Sequence, residues 1–198
     1  MNLKKFSDDE QAKVQIANIL ENKGNSENAD KERMTALNKL CDVFSTITVE
    51  QLQDVADINY FNAMKKIVSG DNNEEINVAL MILRKATLLI GDMVGEKYVK
   101  INNAYIKSEL LAALISLYSH VSPNSKECLM FIIAGKGGIT SSKQEIFKEI
   151  VPYFVNIIKK SAKRSLQEGA LNDDELLELE EAIFVFRVLA KSDCMLFY

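Results

Sequence analysis

The apolar run Leu129-Met130-Phe131-Ile132-Ile133-Ala134 leads straight into Gly135-Lys136-Gly137-Gly138. An apolar segment feeding a glycine-rich loop with a lysine is how phosphate cradles are built. This loop lacks the Gly-Lys-Ser/Thr ending and continues as Ile139-Thr140-Ser141-Ser142. The apolar segment also follows Ser122-Pro123, a pair that opens a helix rather than a strand. The loop therefore reads as a turn between helices. His120 is the single histidine, so a histidine-dependent triad or metal cluster has one candidate. Its place at the end of a helical run, where a donor suits the last carbonyls, accounts for it better. Cys41, Cys128 and Cys194 are far apart, form no Cys-x-x-Cys pair and sit among apolar residues. They read as buried reduced thiols of a cytoplasmic protein, not as a disulfide framework or zinc site. The residue types thus yield no catalytic constellation, metal site or cofactor site, and the chain is expected not to be an enzyme.

Charge offers a second kind of chemistry. Lys159, Lys160, Lys163 and Arg164 form the densest basic cluster and could contact nucleic acid or an acidic lipid. They also lie in the last turns of a helix, where cations complement the dipole. Asp173, Asp174, Glu175, Glu178, Glu180 and Glu181 open the next helix, where anions do the same, so the two clusters are expected to offset one another. The net charge of −4 argues against a dedicated nucleic-acid binder, which leaves this patch as the alternative reading.

The elements that must position these residues are helical. The chain has 198 residues, 47% of them hydrophobic, with only two prolines and eight glycines, and apolar residues recur at spacings of three and four almost throughout. Ser7 and Glu10 form a capping box that opens a helix near residues 8–22, expected to bury Val14, Ile16, Ala17, Ile19 and Leu20. Met34, Leu37, Leu40, Cys41, Phe44 and Ile47 mark a second helix, and Thr48 with Gln51 caps a short third one holding Val49, Leu52 and Val55. Tyr60, Phe61, Met64, Ile67 and Val68 follow, closed by Ser69-Gly70. A long helix over 74–90 carries Ile76, Ala79, Leu80, Leu83, Ala86 and Ile90. Further helices are expected over 104–119, from Pro123 to about Ala134, from Ser142, and over 174–191. Pro152 is expected to kink the helix from Ser142 or to begin a new one. No apolar stretch approaches the ~20 residues that span a bilayer, so no membrane insertion is expected. The N-terminus leads into Ser7-Asp8-Asp9-Glu10 and does not read as a signal peptide.

The order of the helices repeats. Tyr60-Phe61-Asn62-Ala63-Met64-Lys65-Lys66-Ile67 has a counterpart in Tyr153-Phe154-Val155-Asn156-Ile157-Ile158-Lys159-Lys160, each followed by a polar turn and a longer helix with an acidic start. Phe61 and Phe154 are 93 residues apart, two periods of about 46, which suits helical repeats of 40–47 residues. Ile58 to Gly70, continuing into Asn77-Val78-Ala79-Leu80-Met81-Ile82-Leu83-Arg84-Lys85-Ala86, resembles the second helix, turn and third helix of the armadillo family, with Ala79 and Leu83 at its core positions. Residues 150–190 resemble it less closely, through Ala182 and Phe186, and the units around Ala36 and Cys128 resemble it only in pattern. The resemblance implies an all-α, right-handed α-solenoid, a single domain over 1–198 with repeats near 8–47, 48–91, 96–136 and 142–191. It implies an interaction role, as a scaffold or as a regulatory module of the kind found in formins, with another protein or peptide as partner.

In such a solenoid the third helices line the concave face. Two residues past the core alanine, or its equivalent, stand Asn38, Met81, Met130 and Phe184; five past it stand Arg84 and Arg187. Aromatic, methionine and arginine side chains are what interfaces favour. The places where peptide-binding members carry tryptophan and asparagine hold Asn38, Met81, Met130 and Phe184, then Asp42, Lys85, Ala134 and Val188, and the chain contains no tryptophan. Capture of a basic peptide by an asparagine ladder does not follow. The expected partner-binding residues are Asn38, Met81, Arg84, Lys85, Met130, Phe184 and Arg187. The apolar end Met195-Leu196-Phe197-Tyr198 is expected either to fold back over the last helix or to serve oligomerisation.

Overall fold

The computed structural model describes residues 7–22, 27–91, 93, 95–121, 123–134 and 143–192, several of them in the later helices by backbone alone. Every regular element among the described residues is helical. In chain order these are α1 (Asp8–Glu21), α2 (Glu27–Thr46), α3 (Val49–Val55), α4 (Ile58–Val68), α5 (Asn73–Ile90), α6 (Glu96–Ser108), α7 (Leu110–Leu117), α8 (Pro123–Ala134), α9 (Lys143–Glu168) and α10 (Asp173–Ser192). The chain divides into two compact units, Met1–Gly138 and Ile139–Tyr198.

Local chemistry explains most starts and stops. The Ser7 N–H donates to the Glu10 carboxylate at 3.1 Å, closing the capping box of α1. At α3 the Gln51 N–H donates to Thr48 Oγ1 at 3.3 Å while Gln51 Oε1 accepts from the Thr48 N–H at 3.0 Å. Asp57 and Asn72 cap α4 and α5 by accepting two backbone N–H groups each. Each cap satisfies donors that the first helical turn leaves unpaired.

In the first unit the helices pack in two series. α1 packs on α4 and α4 on α7, while α2 packs on α5 and α5 on α8. The helices α3 and α6, of 7 and 13 residues, lead into α4 and α7 and pack against members of the first series: α3 on α1, α6 on α4 and α7. The core between the series holds Leu37, Leu40, Phe44, Tyr60, Phe61, Met64, Leu80, Ile82, Leu110 and Leu114, each at most 3% exposed. Phe44 stacks on Tyr60 with centroids 5.4 Å apart, and Phe61 meets Tyr60 and Tyr105 edge-on. In the second unit α9 packs on α10, with Phe154 and Ala182 buried.

Three expectations are corrected. On α1 the buried face is Ala12, Ile16 and Ile19; Ala17 is exposed and Val14 is 50% exposed. The stretch expected as one helix over 104–119 is broken at Glu109, which adopts a left-handed conformation with φ 57°. Ser108 causes the break. Its Oγ donates to the Tyr105 carbonyl at 2.6 Å and accepts from the Leu110 N–H at 3.2 Å, replacing helical bonds from a buried position. The third concerns Pro152, which begins no new helix but lies inside α9. The proline is exposed, so water can satisfy the carbonyl four residues back that it leaves without a donor.

Candidate partner-binding face

α5 is enclosed by α2, α3, α4 and α8. Its capping at Asn72 and its apolar stripe fix which side turns in: Ile76, Ala79, Leu80, Ile82, Leu83, Ala86 and Ile90 are buried. The remaining strip, Asn77, Met81, Arg84 and Leu88, stays open at helical spacing. Met81 is 52% exposed and Leu88 54%. Exposed apolar side chains are ordinary when scattered, but these two lie one above the other on a helix otherwise buried nearly all round.

The flanking helices extend this strip. The Arg84 guanidinium lies over the Phe131 ring of α8, 5.4 Å from its centroid. The Lys85 ammonium donates to Ser45 Oγ of α2 at 2.6 Å, and Ser125 Oγ of α8 donates to Asn77 Oδ1 at 2.9 Å. Asn38 on α2 is exposed. Among the described residues Arg84 meets no carboxylate, whereas Arg33 pairs with Asp30 and Glu75, and Arg164 pairs with Glu175. A guanidinium over an aromatic ring gains a cation–π contact, and its planar fork of donors suits a planar acceptor. The arrangement offers apolar contact from Met81, Leu88 and Phe131 around one arginine whose N–H groups can take a carboxylate.

Of the residues expected to bind a partner, Met81, Arg84 and Lys85 lie on α5 and Asn38 is exposed on α2, which packs against it. The side chains of Met130, Phe184 and Arg187 lie outside the described ones. Leu88 and Phe131 belong to the same strip and were missed by repeat alignment, which looks only two and five places past the core alanine. Heptad spacing from Met81 would have found Leu88.

Two part-buried polar contacts, among others, tie helices of the first unit together. Arg33 of α2 donates to Glu75 of α5 at 3.2 Å and to Asp30 at 2.5 Å, with the Glu75 side chain only 5% exposed. Burial works to lower the Arg33 pKa, but the hydrogen bonds and charges of Glu75 and Asp30 outweigh it and hold the group above its ordinary value. The Lys66 ammonium of α4 donates to the carbonyls of Ile19, Leu20 and Asn22, capping the C-terminus of α1. Both contacts link residues more than 40 positions apart, and no sequence signal announces them.

The other chemical candidates fare as follows. Lys159, Lys160 and Lys163 are exposed on α9, while Arg164 is engaged by Glu175 of α10. His120 is exposed at the end of a short 3-10 turn, Tyr118–His120, beside a shallow cavity it lines with Asp71 and Ser116. Among the described residues no group of three His, Cys, Asp or Glu side chains could hold a metal ion, and no helix is long and apolar enough to cross a membrane. The glycine loop 135–138, Cys194 and the apolar end 195–198 lie outside the described residues. No protein-family model matches the chain, no curated protein matches it, and no solved structure matches it.

Proposed function

We propose that this chain is a non-enzymatic protein-interaction scaffold or regulatory module, an armadillo-like helical-repeat domain that holds another protein on the open strip of α5 between α2 and α8. One observation carries the reading: α5, enclosed on its other sides, leaves Met81 and Leu88 about half exposed around an arginine that meets no carboxylate among the described residues. Interfaces favour this mixture of methionine, aromatic and arginine side chains. The succession α2, α5, α8 beside α1, α4, α7, with the short helix α3 ahead of α4, supports the repeat reading. The engagement of Arg164 by Glu175 weakens the nucleic-acid alternative, because it removes one cation from the basic patch.

The test is differential retention. Proteins held by the immobilised wild type are compared with those held by Arg84→Glu and by Leu88→Glu, with melting temperatures measured alongside. A partner specific to the strip is lost from both variants while melting stays within a few degrees. Retention that is the same for all three proteins refutes the assignment.

A further inference from the structure

Two exposed stripes of this chain complement one another in spacing and in charge. On α5, Met81 and Leu88 flank Arg84. On α10, Leu176 and Ile183 are 44% and 54% exposed and flank the exposed carboxylate of Glu180. α10 turns Ala182 inward in its packing on α9, so this stripe is a second, outward face. Each stripe joins apolar residues seven positions apart, a span of about 10 Å at ~1.5 Å per residue. Laid antiparallel, the two helices match throughout: Met81 meets Ile183, Arg84 meets Glu180, and Leu88 meets Leu176. Laid parallel, Arg84 would face Leu179, which is half-buried in the second unit. Charge around the stripes agrees, with Lys85 beside the first and Asp173, Asp174 and Glu178 exposed around the second. The Arg84 guanidinium lies over the Phe131 ring, 5.4 Å from its centroid, and arginine favours bidentate pairing with a carboxylate such as that of Glu180.

We propose that the occupant of the α5 strip is α10 of a second copy of this chain. The proposal rests on the reading of the strip as a partner-binding face and names the partner. A contact between unlike surfaces either closes reciprocally into a two-fold dimer or extends into larger assemblies. Light scattering and sedimentation velocity on the full chain, over a series of concentrations, decide it. The wild type moves from monomer toward dimer or larger species as concentration rises. Arg84→Glu alone and Glu180→Arg alone each set like charges face to face and weaken association by more than about tenfold. An equimolar mixture of the two variants restores opposite charge at both contacts and associates like the wild type. A wild type that stays monomeric, or a mixture that fails to re-associate, overturns the proposal. The partner-face reading stands or falls separately: a monomeric wild type that still loses a bound protein on Arg84→Glu keeps the strip and discards the second copy.

Discussion

Two buried side chains show how single residues shape this chain. Ser108 breaks a run of apolar positions that would otherwise continue as one helix, because its hydroxyl both donates to the Tyr105 carbonyl and accepts from the Leu110 N–H. Ser108→Ala leaves that buried N–H without a partner and should cost about 1–3 kcal/mol in chemical denaturation. The left-handed turn that follows is occupied by Glu109, a conformation in which glycine has no Cβ penalty. Glu109→Gly should therefore raise the melting temperature, even though it gives up the ion pair with Lys65 at 2.8 Å. The Lys65 ammonium, first by hydrogen bond and then by charge, holds the Glu109 carboxyl below its ordinary value. A depressed carboxylate stabilises the fold above its unfolded pKa and ceases to do so as pH falls through the folded one. The difference in melting temperature between wild type and Glu109→Gln should accordingly shrink as pH drops below about 4. Tyr60 is the other case. Burial raises the pKa of its hydroxyl, which finds no hydrogen-bond partner among the described residues. Tyr60→Phe keeps the stack on Phe44 and should stabilise by up to about 1 kcal/mol, measured by denaturant titration.

At the scale of elements, α2 and α5 owe their register to the Arg33–Glu75 pair as well as to apolar packing. Arg33→Met strands the buried Glu75 carboxylate and should destabilise by about 3 kcal/mol. Adding Glu75→Met should recover most of that loss, since two apolar residues can replace a buried pair. Recovery of nothing would mean that the pair is not what sets the register. Apolar periodicity made most buried residues of α4 and α5 legible in the sequence, whereas on α2 it found Leu37, Leu40 and Phe44 and passed over Ala36 and Val43. It failed at α1, where Val14 and Ala17 are apolar but face outward, and at Ser108 and Pro152, where side-chain hydrogen bonding and solvation override the pattern. The open strip was legible in part: alignment of the repeats selected Met81 and Arg84. The Arg84–Phe131 stack joins helices far apart in the chain, and such pairings leave no mark in local spacing.

For the whole molecule, the division at Gly138 and Ile139 has a direct consequence. A chain ending at residue 138 retains both packed series of helices and should give a helical spectrum and a cooperative melt of its own. A non-cooperative melt would show that the second unit is required for the first to fold. The central claim is that the open strip of α5 serves binding and not packing, and one paired measurement addresses it most directly. Met81→Ala with Leu88→Ala is introduced together, and the melt of the variant is recorded beside its affinity for a protein retained by the wild type. Truncation in a core costs about 2–5 kcal/mol per residue, whereas exposed positions cost within about 0.5 kcal/mol. The expected outcome is a melting temperature close to wild type and an affinity reduced by about tenfold or more. A sharp fall in melting temperature, with unchanged affinity of the folded protein, would contradict it.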